Sequence, residues 1–142
     1  MLFDLRRVQV WRTEIPDRPG AAASKLELLA RVGANLQFVF TRPDAANPDT
    51  SLLFLAPIEG EEQIAAAKSV GFEPARAVTM LRIEGKNCPG IGYEVMSKLA
   101  VGGINLKGLS LSSIGDRFVA YLAFDNPDAA TLAVQILATM IS

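Results

Sequence analysis

The sequence predicts an α+β protein built from two copies of one β-α-β-β-α unit, each an antiparallel sheet with its helices on one face. Three observations lead there. First, a shift of 70 residues superimposes Arg6 on Arg76, Val8 on Val78, Arg12 on Arg82, Glu14 on Glu84, Pro19 on Pro89 and Gly20 on Gly90. It also superimposes Leu29 on Leu99, Ala30 on Ala100, Gly33 on Gly103, Asn35 on Asn105 and Leu36 on Leu106. From Arg6 to Leu36 that is 11 identities in 31 positions without a gap, and self-similarity at a fixed period marks a repeat. Second, apolar residues alternate in some segments and recur at helical spacing in others. Third, one punctuation occurs twice: Pro-Gly before a helical pattern and Gly-x-Asn after it. It stands in "DRPGAAASKLELLARVGANL" (17–36) and in "NCPGIGYEVMSKLAVGGINL" (87–106).

The elements follow in order. Residues 8–15, "VQVWRTEI", alternate and are β-branched, so they predict a strand. Pro19-Gly20 makes a turn. Residues 21–32 predict a helix with Ala23, Leu26, Leu29 and Ala30 on one face, and Gly33 suits a left-handed cap after it. "LQFVFTR" (36–42) and "SLLFLAPI" (51–58) are strands, and the Pro, Asn and Asp residues between them make a loop. "EEQIAAAKSV" (61–70) is a helix with acids in its first turn, matched to the helix dipole. The second unit repeats the order: strand 78–84, helix 91–101, strands 105–113 and 118–125, helix 127–141. Asn126 as N-cap and Pro127 as first helical residue mark that last helix start.

This order is most of a ferredoxin-like βαββαβ sandwich, but unit two lacks a fourth strand after its second helix. The repeat maps residues 72–85 onto 2–15. Residues 72–85 are long enough to close unit one with their front half and open unit two with their back half. We therefore expect domains at 1–72 and 73–142, with residues 2–7 and 73–77 exchanged as fourth strands. Residues 2–7 should pair antiparallel with 78–84, and 73–77 with 8–15. The alternative is that unit two lacks the strand.

Composition narrows the function. Half of the 142 residues are hydrophobic, 20% are charged, and the net charge is −1, as in an ordinary globular protein with a substantial core. No apolar run reaches the roughly 20 residues of a membrane helix, and "MLFDLRRVQV" lacks the character of a signal peptide. A single cysteine permits no internal disulfide and fits a reducing cytoplasm. Histidine is absent, which removes the commonest general base and metal ligand, so neither a metal site nor a cofactor is expected. The interspersed charges give no basic stripe for nucleic acid. No Ser-His-Asp set or carboxylate pair can be assembled. A phosphate-cradling loop, C-x-x-C, and paired aromatics with basic neighbours on central strands are also missing, so the chain is not expected to be an enzyme, a metal chaperone or an RNA binder.

Both quoted stretches resemble the β1–α1–β2 signature of ACT domains, small regulatory modules of amino-acid metabolism. The resemblance covers nearly the whole chain as two tandem copies with no catalytic domain attached. It implies a non-catalytic regulatory protein that binds an amino acid at a domain interface and alters a partner enzyme. The residues matching the motif are Asp17, Arg18, Pro19, Gly20 and Asn35 in unit one, and Asn87, Cys88, Pro89, Gly90 and Asn105 in unit two.

The chemistry of these residues agrees. Glycine lets the turn close in, and free amides at the helix start favour an anion such as a ligand carboxylate. That charge effect is worth about 0.3–2 kcal/mol, so it cannot supply specificity alone. Asp17 or Asn87 could accept from an ammonium group, and Asn35 or Asn105 could add an amide contact. The competing reading makes Asp17 a helix cap and the two asparagines parts of the helix-to-strand turn. Cys88 reads as a small side chain without a redox role, and Trp11 and Phe38 as core or interface. A helix of about 12 residues spans about 18 Å, so Asp17 and Asn35 cannot grip one small ligand together. A site using both motif ends must join one unit's turn to another unit's asparagine, as in Asp17 with Asn105.

Several strands are apolar on both faces, which predicts a homodimer or larger homo-oligomer, with Phe38, Phe40, Leu52 to Leu55 and Tyr121 as candidates for its second layer. The rival function is a ligand-free protein-interaction module serving as a regulatory subunit.

Overall fold

The computed structural model of the chain describes residues 3–140. The chain divides into two units. One is Gln9–Ala75; the other joins the chain up to Val8 with the chain from Arg76 onward. The unit boundaries thus fall after Val8 and after Ala75.

The Gln9–Ala75 unit holds strands β2 (Trp11–Pro16), β3 (Phe38–Pro43), β4 (Thr50–Ala56) and β5 (Glu73–Pro74), and helices α1 (Ala21–Arg31) and α2 (Gly60–Ser69). Its sheet order is β3-β4-β2-β5, antiparallel throughout. The alternation of β2 sends Trp11, Thr13 and Ile15 inward and leaves Glu14 exposed, as a period of two requires. Trp11 and Ile15 join Leu29, Leu53, Leu55, Ala67 and Phe72 in one core. The buried face of α1 runs through Ala21 and Leu29, with Leu26 and Leu28 partly buried. Ala23 and Ala30 are exposed, contrary to the sequence reading. Ala23 lies two residues past Ala21, about 200° around the helix, and so points away from the sheet. Thr13 Oγ1 donates to the Gly71 carbonyl at 3.1 Å, and Lys25 Nζ donates to the Val70 carbonyl, tying down the end of α2.

The second unit holds β1 (Phe3–Val8), β6 (Thr79–Lys86), β7 (Gly108–Ile114) and β8 (Arg117–Phe124), with α3 (Ile91–Val101) and α4 (Pro127–Ala138). Its sheet order is β1-β6-β8-β7. Leu81 and Ile83 of β6, alternate residues of β8 from Phe118 to Phe124, Val95 and Leu99 of α3 and Leu137 of α4 form its core. Asn126 Oδ1 accepts from the Ala129 amide at 2.8 Å, and Pro127 opens α4, so the cap read from the sequence is formed.

Six residues of β1 pair with β6, from Phe3↔Gly85 to Val8↔Met80. Leu2 lies outside the described residues. The matching strand β5 is much shorter: only Glu73 and Pro74 pair with β2, followed by one bond from the Ala75 amide to the Val10 carbonyl at 2.8 Å. The repeat would place Val78 opposite Val10, so the register differs by three residues. Pro74 has no N–H to donate, and Arg76 and Ala77 form a turn instead of continuing the strand.

Other boundaries differ by a few residues. β3 and β7 begin at Phe38 and Gly108, after Gln37 and Lys107 have bonded back to the Ala56 and Ala123 carbonyls. β4 stops at Ala56, before Pro57. α4 ends at Ala138 with Thr139 as C-cap, and residue 141 lies outside the described residues. Among the described residues no helix is long and apolar enough to cross a membrane.

Candidate functional site

Each Pro-Gly turn is built from backbone hydrogen bonds. In the first unit the Asp17 amide donates to the Asp49 carbonyl at 2.9 Å, the Arg18 amide to the Pro16 carbonyl at 2.9 Å, and the Ala21 amide to the Arg18 carbonyl at 3.3 Å. Gly20 then caps α1 at φ 84°, a left-handed conformation that favours glycine. In the second unit the Asn87 amide donates to the Asp116 carbonyl at 2.7 Å and the Ile91 amide to the Cys88 carbonyl at 3.2 Å. Gly90 caps α3 at φ 85°. No side chain caps either helix. The amides of Ala22 and Ala23, and of Gly92 and Tyr93, thus have no intrahelical partner. Two matched groups of outward-facing donors result.

Asp17, Arg18, Pro19 and Gly20 are all exposed. Asn87 and Cys88 are half-buried, and Cys88, a free thiol, packs against its unit's core. Among the described residues the Asp17 and Asn87 side chains make no hydrogen bond, so the helix-capping alternative for Asp17 is not realised. Asn35 and Asn105 are exposed at the far ends of α1 and α3, after Gly33 and Gly103, each at φ 76°. Eleven helical residues span about 16 Å. Within its own unit, therefore, the fold does not bring either asparagine to the turn.

Sequence reasoning missed Asp49 and Asp116, whose carbonyls anchor the two turns. Each immediately precedes a strand, β4 or β8. A shift of 70 residues does not align them, because the β3–β4 loop is longer than the β7–β8 turn.

The strongest electrostatic cluster lies elsewhere, on the face of the second sheet away from its helices. Arg82 Nη1 donates to Glu84 Oε2 at 2.9 Å, and Arg82 Nε donates to the Tyr121 hydroxyl at 3.3 Å. Arg117 reaches Glu84 Oε1 at 3.5 Å. The hydrogen bond from Arg82 holds the Glu84 carboxyl below its ordinary value, with the charge of Arg82 adding to it. Partial burial works to lower the Arg82 value, but the hydrogen bonds to Glu84 and Tyr121 outweigh it and the net direction is up. Every member is partnered, so the cluster is a structural network. Among the described residues no group of three or more Cys, Asp or Glu could hold a metal ion.

No protein-family model matches the chain, and no curated protein matches it. Solved structures do. The protein BT0572 from Bacteroides thetaiotaomicron aligns with a TM-score of 0.78 at 15% identity, over 96% of this chain and 90% of that one. The ligand-free regulatory subunit of aspartate kinase from Thermus thermophilus aligns with a TM-score of 0.66 at 16% identity, over 100% and 98%. The chain has the fold of an aspartate kinase regulatory subunit. Aspartokinase III of E. coli, solved in complex with lysine and aspartate, gives a TM-score of 0.54 at 14% identity. There the match covers 99% of this chain but 33% of the enzyme. Identities this low carry the ferredoxin-like, ACT-type α+β fold and nothing finer.

Proposed function

We propose that this chain is a non-catalytic regulatory protein of the cytoplasm, with two ACT-like domains, that binds a free amino acid or similar small zwitterion. One observation carries the reading: the turn that starts α1 offers uncapped amides beside an exposed, unpaired carboxylate, Asp17. A zwitterion needs an anion site and a cation acceptor a few ångströms apart. In this reading the ligand carboxylate faces the amides after Gly20 and its ammonium faces Asp17, with Arg18 and Pro19 shaping the turn. Asn87, Cys88, Pro89 and Gly90 offer the same backbone without the charge. A G-x-N asparagine, Asn105 or Asn35, is supplied by a second copy of the chain.

Solved neighbours that are regulatory subunits or domains of aspartate kinases support a regulatory role. The regulated partner is then a metabolic enzyme.

The protein is also proposed to form a homodimer. Leu52 to Leu55 and Tyr121, expected as its second layer, are already buried within the single chain. Apolar residues that stay exposed on the two edge strands include Val39 and Phe40 on β3 and Leu109, Leu111 and Ile114 on β7. These same residues favour the second reading, a ligand-free interaction module. Isothermal calorimetry with each of the twenty amino acids separates the two. Saturable heat with at least one amino acid is expected, and none with any of them leaves the interaction module.

A further inference from the structure

We draw no further inference here: the strongest candidate, the uncharged outer edge of β7 with Leu109, Leu111 and Ile114 exposed, already enters the proposed assembly, and nothing in the structure shows what covers it.

Discussion

The two units keep the same backbone devices and differ in what surrounds them. Both turns place a glycine at nearly the same left-handed angle, 84° and 85°, and both hang from a hairpin aspartate carbonyl. Around the turn, Asp17 and Arg18 are exposed where Asn87 and Cys88 are half-buried. On the sheets, Arg12 and Glu14 sit 3.9 Å apart, while the equivalent Arg82 and Glu84 close to 2.9 Å. The register explains part of that difference. Arg12 faces Phe54 across the strands, whereas Arg82 faces Tyr121, whose hydroxyl accepts from it. At the sheet edge, six residues of β1 pair with β6 and two of β5 with β2. The comparison teaches that the duplication preserved what a helix start requires and left side chains free to diverge. The first unit carries an exposed acidic charge at its turn, and the second carries the more complete strand and ion-pair network.

Leu29 and Leu99 are equivalent and both fully buried, at 0% and 1% exposure. Leu29→Ala and Leu99→Ala should each cost about 2–5 kcal/mol of stability, measured by urea unfolding. Unequal costs would show that the two cores are not packed alike. Asp17→Ala should weaken amino-acid binding by about 1.5–3 kcal/mol, the scale of a hydrogen bond to a charged group. That is roughly a tenfold to hundredfold rise in Kd. Its melting temperature should hardly move, since Asp17 caps nothing. Asn87→Ala should cost less in binding, because no charge is lost. A change at Asn87 as large as that at Asp17 would erase the proposed asymmetry.

Gly20→Ala and Gly90→Ala should cost about 1–2 kcal/mol each, the strain of a side chain in a left-handed conformation. The two costs should match, because neither position has a neighbour within 4 Å of an added Cβ. The smallest effect concerns pH. The folded-state value of Glu84 is lowered by Arg82, so its contribution is present above the ordinary carboxylate range and fades as pH falls through the folded value. Glu84→Gln should flatten the acid limb of a stability-against-pH curve. The change should be small, since the carboxylate stays partly open to solvent and is screened. An unaltered acid limb would show that the network adds no pH dependence.

Much of the fold was legible in the sequence because its determinants are local. Proline, glycine and asparagine fix turns and caps within a few residues, and the spacing from Asp17 to Asn35 was copied intact to Asn87 and Asn105. Asn126 and Pro127 announced α4 directly. The rest was not legible for physical reasons. The shift in β5 depends on Pro74 meeting a particular partner strand, which no local pattern records. The buried stripe of α1 could not be chosen among alanines, because Ala21 and Ala23 read alike until a sheet lies against one of them. The anchoring role of Asp49 and Asp116 runs through their carbonyls, which every residue has, so their side chains gave no signal. The exposure of Asp17 was not visible either, because its sequence context suits a helix cap equally well.

The central claim is that the α1 turn holds the ligand, and amide chemical shifts test it most directly. A ¹⁵N-labelled sample would be titrated with whichever amino acid gives heat in the calorimeter. The account predicts the largest saturable shifts at the amides of Ala21, Ala22 and Ala23, with smaller ones at Ile91, Gly92 and Tyr93, and loss of the first set in Asp17→Ala. Shifts confined to β3 and β7, with the Ala22 and Ala23 amides unmoved, would contradict it.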